Sequence, residues 1–120
     1  MYSASDLFRK AYSYALKHYN LVAILSAKYG LLFPDDVIEP YDLTLNNMSL
    51  EEVKKWSDRV FTQMNSRLNL REYKKVFFHA GKRYRQFLIP KLRKIDVTCE
   101  APLKDLIIGK QKAWYKQHDP

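Results

Sequence analysis

Two short apolar runs, each closed by a glycine turn, constrain this chain more than any other feature. Leu21-Val22-Ala23-Ile24-Leu25-Ser26 ends on Ala27-Lys28-Tyr29-Gly30, and Lys75-Val76-Phe77-Phe78-His79 ends on Ala80-Gly81. Runs of this length, bounded by turn residues, read as strands buried on both faces. They fall far short of the roughly 20 residues a membrane helix needs. Around them the apolar period becomes helical. Leu7, Phe8, Ala11, Tyr14 and Ala15 share one face, with Ser3 as candidate N-cap and Asp6 as its capping-box acid. Ser49-Leu50-Glu51-Glu52 is a second capping box, and Leu50, Val53, Trp56, Val60, Phe61, Met64 and Leu68 continue from it at helical spacing. A helix starting near Lys82 is predicted to reach about Ile89 and to end or kink at Pro90. Ile95–Cys99 is a third strand candidate, and Leu106-Ile107-Ile108-Gly109 leads into a last helix carrying Trp114 and Tyr115.

Alternating helix and strand predict a single α/β domain over residues 1–120. Its expected form is three-layered, a short, mainly parallel sheet of about three strands with helices on both faces. A hydrophobic content of 47% is enough for a packed core and excludes a disordered tail. The lone Cys99 excludes an internal disulfide and a Cys-rich zinc site, and suits a reducing, cytoplasmic setting. Polar residues at Ser3, Ser5 and Asp6 precede any apolar stretch, which is not the pattern of a signal peptide.

The net charge of +8 is unevenly placed. All eight charged side chains between Glu72 and Asp96 are basic, whereas all six between Lys28 and Lys54 are acidic. A basic band attracts phosphate. In an open parallel sheet, ligands sit beyond the carboxyl ends of the strands, so the residues after each run are the site candidates. Ser26 and Lys28 present a hydroxyl and an ammonium on a turn. Such a pair suits an anionic oxygen, or a Ser nucleophile with a Lys base. Gly81, Lys82, Arg83, Tyr84 and Arg85 combine a glycine turn with a basic helix start, where backbone N–H groups favour anions and Tyr84 could stack on a base. Gln111 follows the third strand across the next turn. Glu39 and Asp42, stiffened by Pro40 and Tyr41 in the long loop 31–48, are candidate water-activating carboxylates. Asp35 and Asp36 read as turn formers. No P-loop spacing, cofactor motif or metal-ligand spacing is present, and His18, His79 and His118 are scattered.

Several blocks together carry a resemblance. Leu7-Phe8-Arg9-Lys10-Ala11, Ile24-Leu25-Ser26-Ala27-Lys28-Tyr29-Gly30-Leu31-Leu32, Glu39-Pro40-Tyr41-Asp42-Leu43-Thr44-Leu45, Ala80-Gly81-Lys82-Arg83-Tyr84-Arg85 and Ile108-Gly109-Lys110-Gln111 occur in an order that resembles a family of small bacterial and phage proteins of unknown function. The Ser26–Asp42 stretch is also similar to YaaA-type peroxide-stress proteins, whose resemblance implies DNA binding. A more distant likeness is to the uracil-DNA-glycosylase-like α/β fold. Two departures stand out. Family members usually carry histidine where this chain has Tyr29, which removes an imidazole from that turn. They also usually have a strand with a Cys and paired lysines ahead of the first helix, where this sequence opens at Met1-Tyr2-Ser3. Without a central strand, neighbouring edges would be open to another chain.

Three readings follow. The first is a nucleic-acid- or nucleotide-binding domain using Lys28, Lys82, Arg83 and Arg85 for phosphate, with Tyr84 or Tyr41 stacking. The second is an enzyme acting on a nucleobase or N-glycosidic bond, with Asp42 or Glu39 activating water and Ser26 and Lys28 orienting substrate. The third is a non-catalytic homo-oligomer joined through a sheet edge or the opposed charge bands, and none of the three involves a membrane.

Overall fold

The computed structural model describes residues 6–37 and 43–119. In chain order the elements are α1 (Asp6–His18), β1 (Ile24–Ser26), β2 (Gly30–Leu32), α2 (Leu50–Arg67), β3 (Lys75–Phe77), α3 (Lys82–Arg85), α4 (Leu88–Lys94), β4 (Thr98–Glu100) and α5 (Ile108–His118), with single 3-10 turns at Leu45–Asn47 and Leu70–Glu72. The chain is α/β. Among the described residues, however, the strands form two separate pairs instead of one sheet of about three. β1 and β2 are an antiparallel hairpin, and β3 and β4 are a parallel pair with Val76 opposite Cys99. Ser3, Glu39, Tyr41 and Asp42 lie outside the described residues.

The separation has a physical cause in α2. Its first turn is closed by the expected capping box: Glu52 N–H donates to Ser49 Oγ at 3.2 Å, and Ser49 N–H donates to Glu52 Oε1 at 3.1 Å. Val53, Trp56, Val60 and Met64 are buried in the main core with Leu45, Leu88, Leu92 and Cys99. Polar atoms on the same side of α2 then reach the hairpin backbone. Trp56 Nε1 donates to the Ser26 carbonyl at 2.9 Å, and Arg59 to that of Lys28 at 3.2 Å. Gln63 donates to the Tyr29 carbonyl at 3.1 Å and accepts the Leu31 N–H at 2.9 Å, while Arg67 donates to the Leu31 carbonyl at 3.2 Å. A strand's outward N–H and C=O groups require partners, and here a helix supplies them. A third strand on β2 would displace the contacts of Gln63 and Arg67.

The second apolar run is also less buried than expected. Val76 and Phe78 turn inward, but Lys75 and Phe77 face outward, because only one face of the β3–β4 pair is covered by the core. Tyr19 stacks on Phe77 with ring centroids 5.0 Å apart. The basic segment after β3 is two helices instead of one. Pro90 does not end a helix. It sits in the first turn of α4, where a missing N–H costs nothing. That helix closes with Asp96 at φ 64°, its N–H bonding to the Arg93 carbonyl and that of Val97 to the Leu92 carbonyl, a Schellman arrangement that turns the chain into β4. α1 packs on α5 around a smaller cluster of Ala11, Leu103 and Tyr115. Ser13 and Lys17 both bind Asp119, whose carboxyl these contacts hold below the usual range. No helix among the described residues is long and apolar enough to cross a membrane.

Gly30 tests the docking of the hairpin. Its φ is +80°, and an added Cβ would lie 2.2 Å from Gln63 Oε1. Gly30→Ala is expected to cost about 1–3 kcal/mol in denaturant unfolding through backbone strain and loss of the Gln63 contacts. Gly81→Ala, at φ −63° and with the nearest neighbour of a Cβ 3.8 Å away, should shift stability by no more than about 0.5 kcal/mol.

Candidate functional site

Because β3 and β4 are parallel, their carboxyl ends open on the same side. Beyond them the loop after β3, α3, the loop after β4 and the face of α5 enclose a cleft of about 190 Å³. α3 contributes Lys82 and Arg85, the loop after β4 contributes Lys104, and α5 contributes Gln111 and Tyr115. Its lining includes three cations and no carboxylate. Among the described residues, none of Lys82, Arg85 and Lys104 forms an ion pair. Arg85 is half-buried, and its Nε–H is buried with no hydrogen-bond partner. An orphaned donor of this kind costs about 1–3 kcal/mol, so Arg85 has most to gain from an oxygen acceptor. Gln111 is held in place by its side-chain nitrogen, which donates to the Leu106 carbonyl at 2.7 Å.

His79 stands in the cleft wall between two tyrosines. Its Nε2 is 2.6 Å from the Tyr19 hydroxyl and its Nδ1 is 2.7 Å from that of Tyr115. Burial holds the imidazole below its usual pKa and pushes Tyr19 up to about 12, with Tyr115 raised as well. At neutral pH the three groups are therefore uncharged. A neutral imidazole offers one N–H and one lone pair, so one tyrosine donates to His79 while the other accepts from it. The cleft's charge then comes from Lys82, Arg85 and Lys104 alone.

The remaining candidates from the sequence are elsewhere. Ser26 is buried at the end of β1, where its Oγ accepts the Tyr29 N–H at 3.0 Å. Lys28 is exposed at the hairpin tip, 5.2 Å above the Tyr29 ring. Arg83 donates to the Met48 carbonyl at 2.9 Å, and Tyr84 packs edge-on against Trp56 with its hydroxyl 3.4 Å from Thr44 Oγ1. The structure thus brings together Gly81, Lys82, Arg85 and Gln111, and separates Ser26, Lys28, Arg83 and Tyr84 from them. With only four residues, α3 has almost no dipole. Side-chain charge replaces the expected helix-start effect. The basic band is dispersed too, since Lys75 pairs with Glu100 at 3.5 Å and Lys91 pairs with Asp58. Sequence reasoning missed Lys104 and the two tyrosines around His79. The place of His79 at a strand end was the available signal, whereas Tyr19 arrives from just past the end of α1 and Tyr115 from α5. Asp36 binds the Phe33 N–H at 2.8 Å and the Arg67 guanidinium, and these contacts lower its carboxyl pKa. Among the described residues, no group of three or more His, Cys, Asp or Glu side chains could hold a metal ion.

A family model matches residues 1–117 of this chain. The chain belongs to DUF6884, a family of unknown function. Comparison of this DUF6884 chain with curated proteins and with solved structures returns no match.

The depressed His79 pKa sets a stability window in this DUF6884 domain. Between the unfolded imidazole value, about 6.5, and the lower folded value, the unfolded chain binds more protons. Stability is therefore expected to fall as pH drops through that interval. Denaturant unfolding across pH 7 to 5 checks this, and His79→Gln should flatten that part of the slope.

Proposed function

We propose that this chain is a nucleic-acid- or nucleotide-binding α/β domain that takes phosphate in the cleft beyond β3 and β4. One observation carries the reading: Lys82, Arg85 and Lys104 converge there without a counter-ion from the described residues. Arg in such a setting binds phosphate through a bidentate fork, and Lys as a point charge. The likeness of the Ser26–Asp42 stretch to YaaA-type proteins supports the same class of ligand. Lys28, exposed on the hairpin tip, is a further phosphate contact in this reading.

Binding of this kind depends on salt. Fluorescence anisotropy with a short single-stranded DNA should give a negative log–log salt slope, roughly −0.7 per phosphate contacted. Lys82→Ala and Arg85→Ala should each weaken binding and make the slope shallower. Affinity that ignores salt, or no binding at low salt, would end the proposal.

One feature favours a second copy as an additional partner. Among the described residues, β3 and β4 each pair with a single strand, so both outer edges are open to further pairing. Analytical ultracentrifugation should then show a dimer at micromolar concentration; a species of one chain's mass at every ionic strength removes that partner.

A further inference from the structure

We infer that the cleft recognises a terminal phosphoryl group, the dianionic phosphomonoester of a nucleotide or of a nucleic-acid end, and not an internal phosphodiester. The inference rests on the phosphate reading above and narrows it by shape and charge.

Size comes first. At about 190 Å³ the cleft is smaller than the roughly 300–1,000 Å³ of sites that enclose a whole small ligand. It encloses a group and leaves the remainder of the ligand outside. The cleft is also closed at its base. Phe78, Leu103 and Tyr115 all line it and are only 7%, 6% and 2% exposed, so they form a packed floor through which no chain threads. An internal diester has chain on both sides and can only lie across the mouth. A terminal group needs an entrance alone.

Charge agrees with size. A phosphomonoester carries about −1.5 to −2 at neutral pH and three terminal oxygens, whereas a diester carries −1 and two. Three cations reach this cleft from two separate segments, Lys82 and Arg85 from α3 and Lys104 from the loop after β4. They match three oxygens better than two. The buried, unpartnered Nε–H of Arg85 needs an acceptor, and a guanidinium turned to place both Nε–H and Nη–H on one phosphoryl group satisfies it. The neighbouring cleft between α1 and α5, about 240 Å³, lacks this selectivity. Its cations Arg9, Lys10 and Lys116 share the lining with the Asp119 carboxylate.

The test compares three single-stranded oligonucleotides of one sequence, with a 5′-phosphate, a 3′-phosphate or hydroxyls at both ends, by anisotropy at one fixed salt concentration. At least one phosphorylated end should bind about tenfold or more tightly than the hydroxyl form, the worth of added charge-assisted hydrogen bonds. Arg85→Gln should erase that difference, and Lys82→Gln, at an exposed position, carries the same test if the Arg85 variant fails to fold. Lys116→Gln, outside this cleft, should leave the difference intact. Adenosine monophosphate as competitor separates the two sources: full competition assigns the site to free nucleotides, and weak competition against tight end-binding assigns it to polymer ends. Equal affinity for all three oligonucleotides overturns this inference and leaves the phosphate reading standing. No binding of any oligonucleotide or of the mononucleotide at low salt overturns both.

Discussion

The hydrogen bonds from α2 to the β1–β2 hairpin determine how everything else is arranged. Trp56, Arg59, Gln63 and Arg67 direct their polar atoms to the hairpin backbone: the Ser26 and Leu31 carbonyls and the Leu31 N–H on its strands, and the Lys28 and Tyr29 carbonyls in its turn. The hairpin is thereby withdrawn from the β3–β4 pair. The same helix buries Val53, Val60 and Met64 against α4 and the neighbourhood of β4, so one element serves both pairs. A long amphipathic helix with polar atoms interspersed along its packed face is the price of two short sheets in a small chain, and each buried backbone group that it satisfies avoids a penalty of about 1–3 kcal/mol.

With the hairpin removed, β3 and β4 are the one parallel pair among the described residues, and their carboxyl ends define one polar opening. The charge there is selective because its neighbours are neutral. His79 is kept uncharged by burial, so it neither repels Lys82 and Arg85 nor supplies a counter-charge. Of the carboxylates close by in sequence, Glu100 faces Lys75, and Asp105, beside Lys104, does not line the cleft.

Much of the local structure was legible in the residues. The capping box at Ser49 and Glu52 and the apolar period behind it predict α2, and Leu106 to Gly109 leads into α5 as expected. Gly81, Lys82, Arg85 and Gln111 were recognisable because strand ends are where polar side chains collect. The sheet was not legible, because hydrophobic runs reveal strands and not their partners, and side-chain bonds from Gln63 and Arg67 leave no periodic trace. Pro90 misled for a related reason: a proline marks a helix start as readily as a stop. Arg83 and Tyr84 look equivalent to Lys82 and Arg85 in sequence, yet successive positions on one helical turn point in different directions, and these two face Met48 and Trp56.

The two hydrophobic clusters give the cleft one more property. Phe78 on one side of it belongs to the large core, whereas Leu103 and Tyr115 belong to the small one between α1 and α5. Tyr19 and Tyr115 clasp His79 across that seam, and Tyr19 stacks on Phe77 beside it. A protein opens in cooperative units, the least stable first. By that rule the α1–α5 pair, with its smaller core, would open before α2 and its partners. Such an opening divides the cleft along its length, so any ligand that touches both walls acts as a clasp between the two halves, and amide exchange in α1 and α5 reports its presence.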